Sequence, residues 1–73
     1  MACISPDGKP TESGTKMLRA LQAGLGTPEE IAKESGLPLF GVRSGLRELS
    51  QASLVVERAG KYEITDKGSA LAQ

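Results

Sequence analysis

Residues 31–56 read IAKESGLPLFGVRSGLRELSQASLVV, and they run straight into a hairpin-like segment, VVERAGKYEIT, at residues 55–65. Two short amphipathic patterns flank a Gly36-Leu37-Pro38 turn. Ser35-Gly36 reads as a helix stop, because glycine takes the left-handed backbone without the penalty a Cβ brings. Pro38 fixes its own φ and opens the next helix without wasting an N–H. From there, at about 100° per residue, Val42, Leu46 and Leu49 fall within about 60° of one another, with Leu39 flanking them. Phe40, Ser44, Arg47 and Gln51 fall on the opposite side, with Arg43 beside them. This third helix is expected to end near residue 52. Gly41 and Gly45 lie four apart on one edge of its buried stripe. Each costs about 1 kcal/mol relative to alanine in a helix. The expected reason is close approach of another backbone, from the second or first helix.

Upstream, Thr27, Pro28 and Glu30 form the clearest helix start in the chain. Threonine caps, proline takes the first helical position, and the glutamate reaches back to close a capping box. Ile31 and Ala32 then face inward. A first helix is expected over residues 11–23, capped by Thr11 or Ser13. Gly14, Met17, Leu18, Leu21 and Leu25 make its apolar stripe, and Lys16, Arg19 and Gln22 lie outside it. Gly24 and Gly26 bracket its end. Residues 1–10, with the Asp7-Gly8 turn signal, read as an extended arm that Ile4 is placed to pin.

Downstream, Leu54, Val55 and Val56 have strand character, and Tyr62, Glu63 and Ile64 alternate as a half-buried strand does. Arg58-Ala59-Gly60-Lys61 is the turn between them, with Gly60 available for positive φ. Thr65-Asp66 caps a short last helix over residues 67–72, held by Leu71. The order is α-α-α-β-β-α. That is mainly α with a small β-hairpin: a winged helix-turn-helix with a three-helix core, a two-stranded wing and a short C-terminal helix. The domain is expected over 11–73, behind the arm at 1–10. A further wing strand would come from Gly26-Thr27 or not form at all.

At these positions the chain resembles winged-helix regulators of the MarR and ArsR types. Ile31-Ala32, Gly36-Leu37, Val42, Leu46, Leu49 and Leu54-Val55 stand where that family places its core and turn residues. Tyr62, Ile64, Thr65, Lys67 and Gly68 match the way its wing closes. Ser53 stands where the family usually has glycine. The resemblance covers roughly residues 15–71 and implies the fold more firmly than the function, since the same fold also serves as a protein-binding module.

The bulk numbers narrow the classes. The chain has 73 residues, enough for one modest core. It has no histidine and one cysteine, Cys3, so neither an internal disulfide nor a zinc site is expected. Cys3 reads as an incidental thiol near a flexible N-terminus, with redox sensing or intermolecular pairing as the alternative. There is no phosphate-cradling glycine loop after a strand and no nucleophile with a nearby base, so enzymatic activity and a cofactor are not expected. No signal peptide or membrane-length apolar run is visible, which makes a cytoplasmic protein the default.

DNA binding, in a transcriptional regulator or an accessory to one, is the leading expectation. The third helix would enter the major groove of double-stranded DNA. Arg43 and Arg47 would reach guanine edges or phosphates, and Ser44 and Gln51 would add hydrogen bonds. Arg58 and Lys61 at the wing tip would approach a phosphate or the minor groove. Arg43 has Glu48 five residues on, which is poorly spaced, so both arginines read as free. Phe40 has three readings: a thymine-methyl contact, an anchor for a protein partner together with Leu39, or a core residue folded under the arm against Ile4. A protein–protein module using Leu39 and Phe40 is the alternative function. Basic and acidic residues balance at 9 each. Glu29 and Glu30 oppose phosphate at the start of the second helix. A DNA complex of one copy would therefore show a shallow salt dependence. Operator, effector, partner and oligomeric state stay open.

Overall fold

In the computed structural model, which describes residues 3–72, Thr27 caps the second helix as its sequence requires. Its hydroxyl accepts from the Glu30 amide at 3.2 Å, and the Glu30 carboxylate accepts from the Thr27 amide at 3.3 Å. This helix, α2, spans Pro28–Ser35 and stops at Gly36, whose φ of 74° is left-handed. Before it, α1 spans Glu12–Gln22, capped by the Thr11 hydroxyl. After it, α3 spans Leu39–Gln51, with Pro38 as its N-cap. The strands β1 (Val55–Arg58) and β2 (Lys61–Ile64) pair antiparallel, Val55 opposite Ile64 and Arg58 opposite Lys61. A final helix, α4, spans Asp66–Leu71 under a Thr65 cap. Four helices and a two-stranded hairpin in this order make a small winged helix-like fold. The expected domain range of 11–73 is described to Ala72, and the arm expected over 1–10 from Cys3 onward; Met1, Ala2 and Gln73 lie outside the described residues.

The apolar stripes meet as their periodicities require. Met17, Leu18, Ile31, Val42, Leu46, Leu49, Leu54 and Val55 are fully buried in one cluster. Burying a side chain of this size contributes about 1.5–3 kcal/mol. Ala32, Leu37, Tyr62, Ile64 and Leu71 pack half-buried around it.

Two expectations change at the N-terminus. Ile4 packs half-buried against the core as expected, but Cys3 beside it is the arm's fully buried residue. Nor does Cys3 sit at a loose end. Its carbonyl accepts from the Thr11 amide at 2.9 Å, and its amide donates to the Glu48 carboxylate at 3.3 Å. Between these, the chain folds back on itself, with Ile4 bridging Pro10 and the Ser5 amide donating to the Lys9 carbonyl at 2.8 Å. The arm is a closed loop and not an extended segment.

Gly45 and Gly14 are explained by the same contact. A Cβ on Gly45 would meet the Met17 thioether and the Cys3 sulfur. At Gly45 the close neighbours are thus side chains from α1 and the arm, where a neighbouring backbone was expected. On Gly14 a Cβ would run into the Cys3 carbonyl itself.

The hairpin is fastened at its base. Thr65 donates its hydroxyl to the Ser53 carbonyl at 2.7 Å and its amide to the Leu54 carbonyl at 3.0 Å. Gly68 lies buried against that same Leu54 carbonyl, where a Cβ would not fit. No third wing strand forms from Gly26-Thr27. Gly26 gives one contact in that place, its carbonyl accepting from the Tyr62 amide at 2.8 Å.

Candidate nucleic-acid interface

α3 has one side in the core and one side in solvent. Gly41, Val42, Gly45, Leu46 and Leu49 are buried. Phe40, Arg43, Ser44, Arg47 and Gln51 are all exposed, along one stripe of the helix. Residues 40, 43, 44, 47 and 51 recur at helical spacing, so a flat partner or a groove meets them together. Phe40 is 75 % exposed, which removes the reading that folds it under the arm against Ile4. Leu39 beside it is 37 % exposed. Val56, on the outer side of β1, is a further exposed apolar side chain that the sequence reading did not single out.

Arg43 is not free. Its Nη2 lies 3.2 Å from Oε2 of Glu29, on the first turn of α2. Glu48, the acid nearest along the same helix, is instead engaged with the Cys3 amide. The Arg43–Glu29 partners are 60 % and 63 % exposed, so the pair contributes about 0–1 kcal/mol and stays open to exchange. Arg47 has no ion-pair partner among the described residues.

At the wing, Arg58 Nε lies 3.5 Å from Glu63 Oε1, diagonally across the hairpin. Lys61 is exposed and makes no ion pair among the described residues. The turn has left-handed φ at both central residues, 51° at Ala59 and 83° at Gly60. Two-residue loops of this kind match the twist of the strands, so the turn carries Arg58 and Lys61 side by side at the tip.

The start of α2 divides the work of its two acids. Glu30 is committed to the cap: its carboxylate accepts from the Gly26 amide, the Thr27 amide and the Thr27 hydroxyl. These bonds, the Gly26 amide first, hold its carboxyl below the usual 4.5. Glu29 is left to face α3. A separate groove of about 280 Å³ between α1 and α2 is lined by Lys16, Arg19, Ala20, Ala23, Glu34 and Ser35 and shares no residue with the exposed stripe of α3. Among the described residues, no cluster of histidine, cysteine or acids could hold a metal, and no helix is long and apolar enough to cross a membrane.

No family model matches the chain, and no curated protein matches it. Among solved structures, it is similar to an O-methyltransferase from neocarzinostatin biosynthesis, determined in complex with S-adenosyl-L-homocysteine. The identity is 27 % and the TM-score 0.72, over 81 % of this chain. The chain spans 20 % of that protein's length, about a fifth of the enzyme.

Proposed function

We propose that this domain binds double-stranded DNA, with α3 in the major groove and the hairpin against the backbone, in a transcriptional regulator or an accessory to one. The observation that carries this reading is the exposed stripe of α3. It sets Arg47, an arginine with no ion-pair partner among the described residues, beside Phe40, Ser44 and Gln51 on a helix whose other side is core. Arginine reads guanine O6 and N7 in the major groove, serine and glutamine bond base edges or phosphates, and phenylalanine contacts the thymine methyl. Arg58 and Lys61 at the turn stand where a wing meets phosphate. With zero net charge and two of the four cations paired, the affinity is modest and one copy neutralises few phosphates.

A second reading is favoured by Phe40 and Leu39, whose exposure suits the anchor of a protein interface. The similarity to one-fifth of a methyltransferase fits it too, since there the matching segment is part of a larger enzyme.

A heteronuclear NMR titration with generic duplex DNA at low salt tests the choice. Amide shifts confined to residues 39–47 and 58–61 support DNA binding. Non-specific complexes ordinarily dissociate at about 10⁻⁴–10⁻⁶ M, so an unchanged spectrum at roughly 100 µM duplex turns the assignment to the protein-binding module.

A further inference from the structure

We propose that Glu29 is an intramolecular competitor for Arg43, an acid placed to hold that arginine's charge away from DNA phosphate. The inference rests on the DNA-binding reading above and assigns to Glu29 a role in setting affinity at that site.

Three observations carry it. First, the pair joins two elements: Arg43 on the exposed stripe of α3 and Glu29 on the first turn of α2, Nη2 to Oε2 at 3.2 Å. Second, Glu29 has no other bonded partner among the described residues. The capping of α2 is carried by Thr27 and Glu30, so the Glu29 carboxylate is not needed to close the helix start. Third, both side chains are more than half exposed, so a phosphate oxygen can reach the guanidinium and displace the carboxylate. A phosphate and a carboxylate bind the guanidinium fork in the same way, which makes them direct competitors.

The consequence is electrostatic. While the pair holds, the Arg43 site offers DNA no net charge, and Arg47 is left as the uncompensated cation of the stripe. Breaking the pair leaves the Glu29 carboxylate beside the incoming phosphate, which opposes the exchange. Removing the carboxylate alone gives Arg43 to the DNA outright.

The test is a double-mutant cycle read by fluorescence anisotropy on a labelled duplex, across a salt series. The proteins are the wild type, Glu29→Gln, Arg43→Ala and the double variant, each first checked by thermal melt. The proposal expects Glu29→Gln to bind roughly 2- to 5-fold tighter at low salt. Its slope of log K against log salt should steepen by about 0.9, the value for one further phosphate contact. In the Arg43→Ala background the same substitution should change little. Equal tightening in both backgrounds would mean that Glu29 merely repels phosphate, and would overturn competition for Arg43. Weaker binding by Glu29→Gln would overturn it in the other direction, making Glu29 a support that orients the arginine. In both cases DNA binding by the wild type leaves the broader reading standing. If none of the four proteins binds duplex, the DNA reading fails and this proposal goes with it.

Discussion

Ser53 ends α3 in the backbone position that Gly24 takes at the end of α1. Both are left-handed, with φ of 65° and 97°. Both amides reach back three residues, Ser53 to Ser50 and Gly24 to Leu21, each at 3.0 Å. The next residue closes each motif from five residues on: Leu54 bonds the Leu49 carbonyl at 2.9 Å and Leu25 the Ala20 carbonyl at 3.2 Å. This is the double closure of a Schellman motif, and the two ends differ in having serine where glycine is favoured.

Replacing Ser53 with glycine should therefore stabilise the protein. A left-handed non-glycine residue costs about 1–2 kcal/mol, and glycine gives back about 0.5–1 kcal/mol as entropy of the unfolded chain. The net gain expected is a few tenths to about 1 kcal/mol, and a domain of this size gains about 4–8 °C in Tm per kcal/mol. A calorimetric melt of Ser53→Gly showing no rise would contradict it. Ala59→Asn should act in the same direction at the hairpin turn, where asparagine tolerates the left-handed φ that Ala59 holds.

Gly68→Ala is expected to destabilise, although alanine is the better helix former. The new Cβ meets the Leu54 carbonyl, which is backbone fixed by its bond from the Thr65 amide and cannot swing aside. Overpacking of this sort costs about 1–3 kcal/mol. Urea denaturation would show a lower midpoint; an unchanged midpoint would mean that α4 moves freely off the hairpin.

Thr27→Ala should remove about 1 kcal/mol through loss of the α2 cap. It should also change the response to acid. Glu30 titrates below 4.5 in the fold because the Gly26 amide, then the Thr27 hydroxyl and amide, favour its charged form. Stability from a carboxyl lowered in this way is present above the unfolded value and lost as pH falls through the folded one. Carbon-detected NMR of the Glu30 carboxyl should show its midpoint rising in the variant. A midpoint that stays where it is would assign the shift to the two backbone amides, of residues 26 and 27.

Cys3 should be slow to alkylate in the native protein. Burial, with help from the Glu48 carboxylate, pushes its thiol up to about 11 from 9.0. The neutral thiol is the form the core holds. Its contribution is thus complete below pH 9.0 and is lost as pH rises through about 11. Labelling with iodoacetamide at pH 8 should follow the opening of the arm and accelerate in urea. Rapid labelling without denaturant would place the arm off the core.

Phe40→Ala should leave Tm almost unchanged, because the ring is 75 % exposed. Binding of the partner should fall, whether that partner is duplex DNA or a protein. A large drop in Tm would return Phe40 to the core.

How much of this was legible depends on the distance over which each feature is determined. The Thr27-Pro28-Glu30 start, the Gly36 stop and the Val42-Leu46-Leu49 stripe are local, and each element was readable from neighbouring residues. The partner of Arg43 was not, because helical spacing exposes only acids on the same helix and Glu29 arrives from another helix, 14 residues earlier. The place of Cys3 depends on a bond to Glu48 that spans 45 positions, which no local pattern encodes. The left-handed Ser53 was half-legible: a family resemblance marked the position as one for glycine, while the residue itself gave no sign of the conformation.

The bonds from Thr65 to Ser53 and Leu54 bear on how a duplex would be fitted. They tie the end of β2 to the short connection that closes α3 and leads into β1, which holds the base of the hairpin beside the end of that helix. A rigid two-pronged reader cannot adapt to the spacing between groove floor and flanking phosphate; the nucleic acid has to supply the adjustment. Part of any sequence preference would then come from how easily a site bends, with flexible pyrimidine–purine steps favoured at positions no side chain touches.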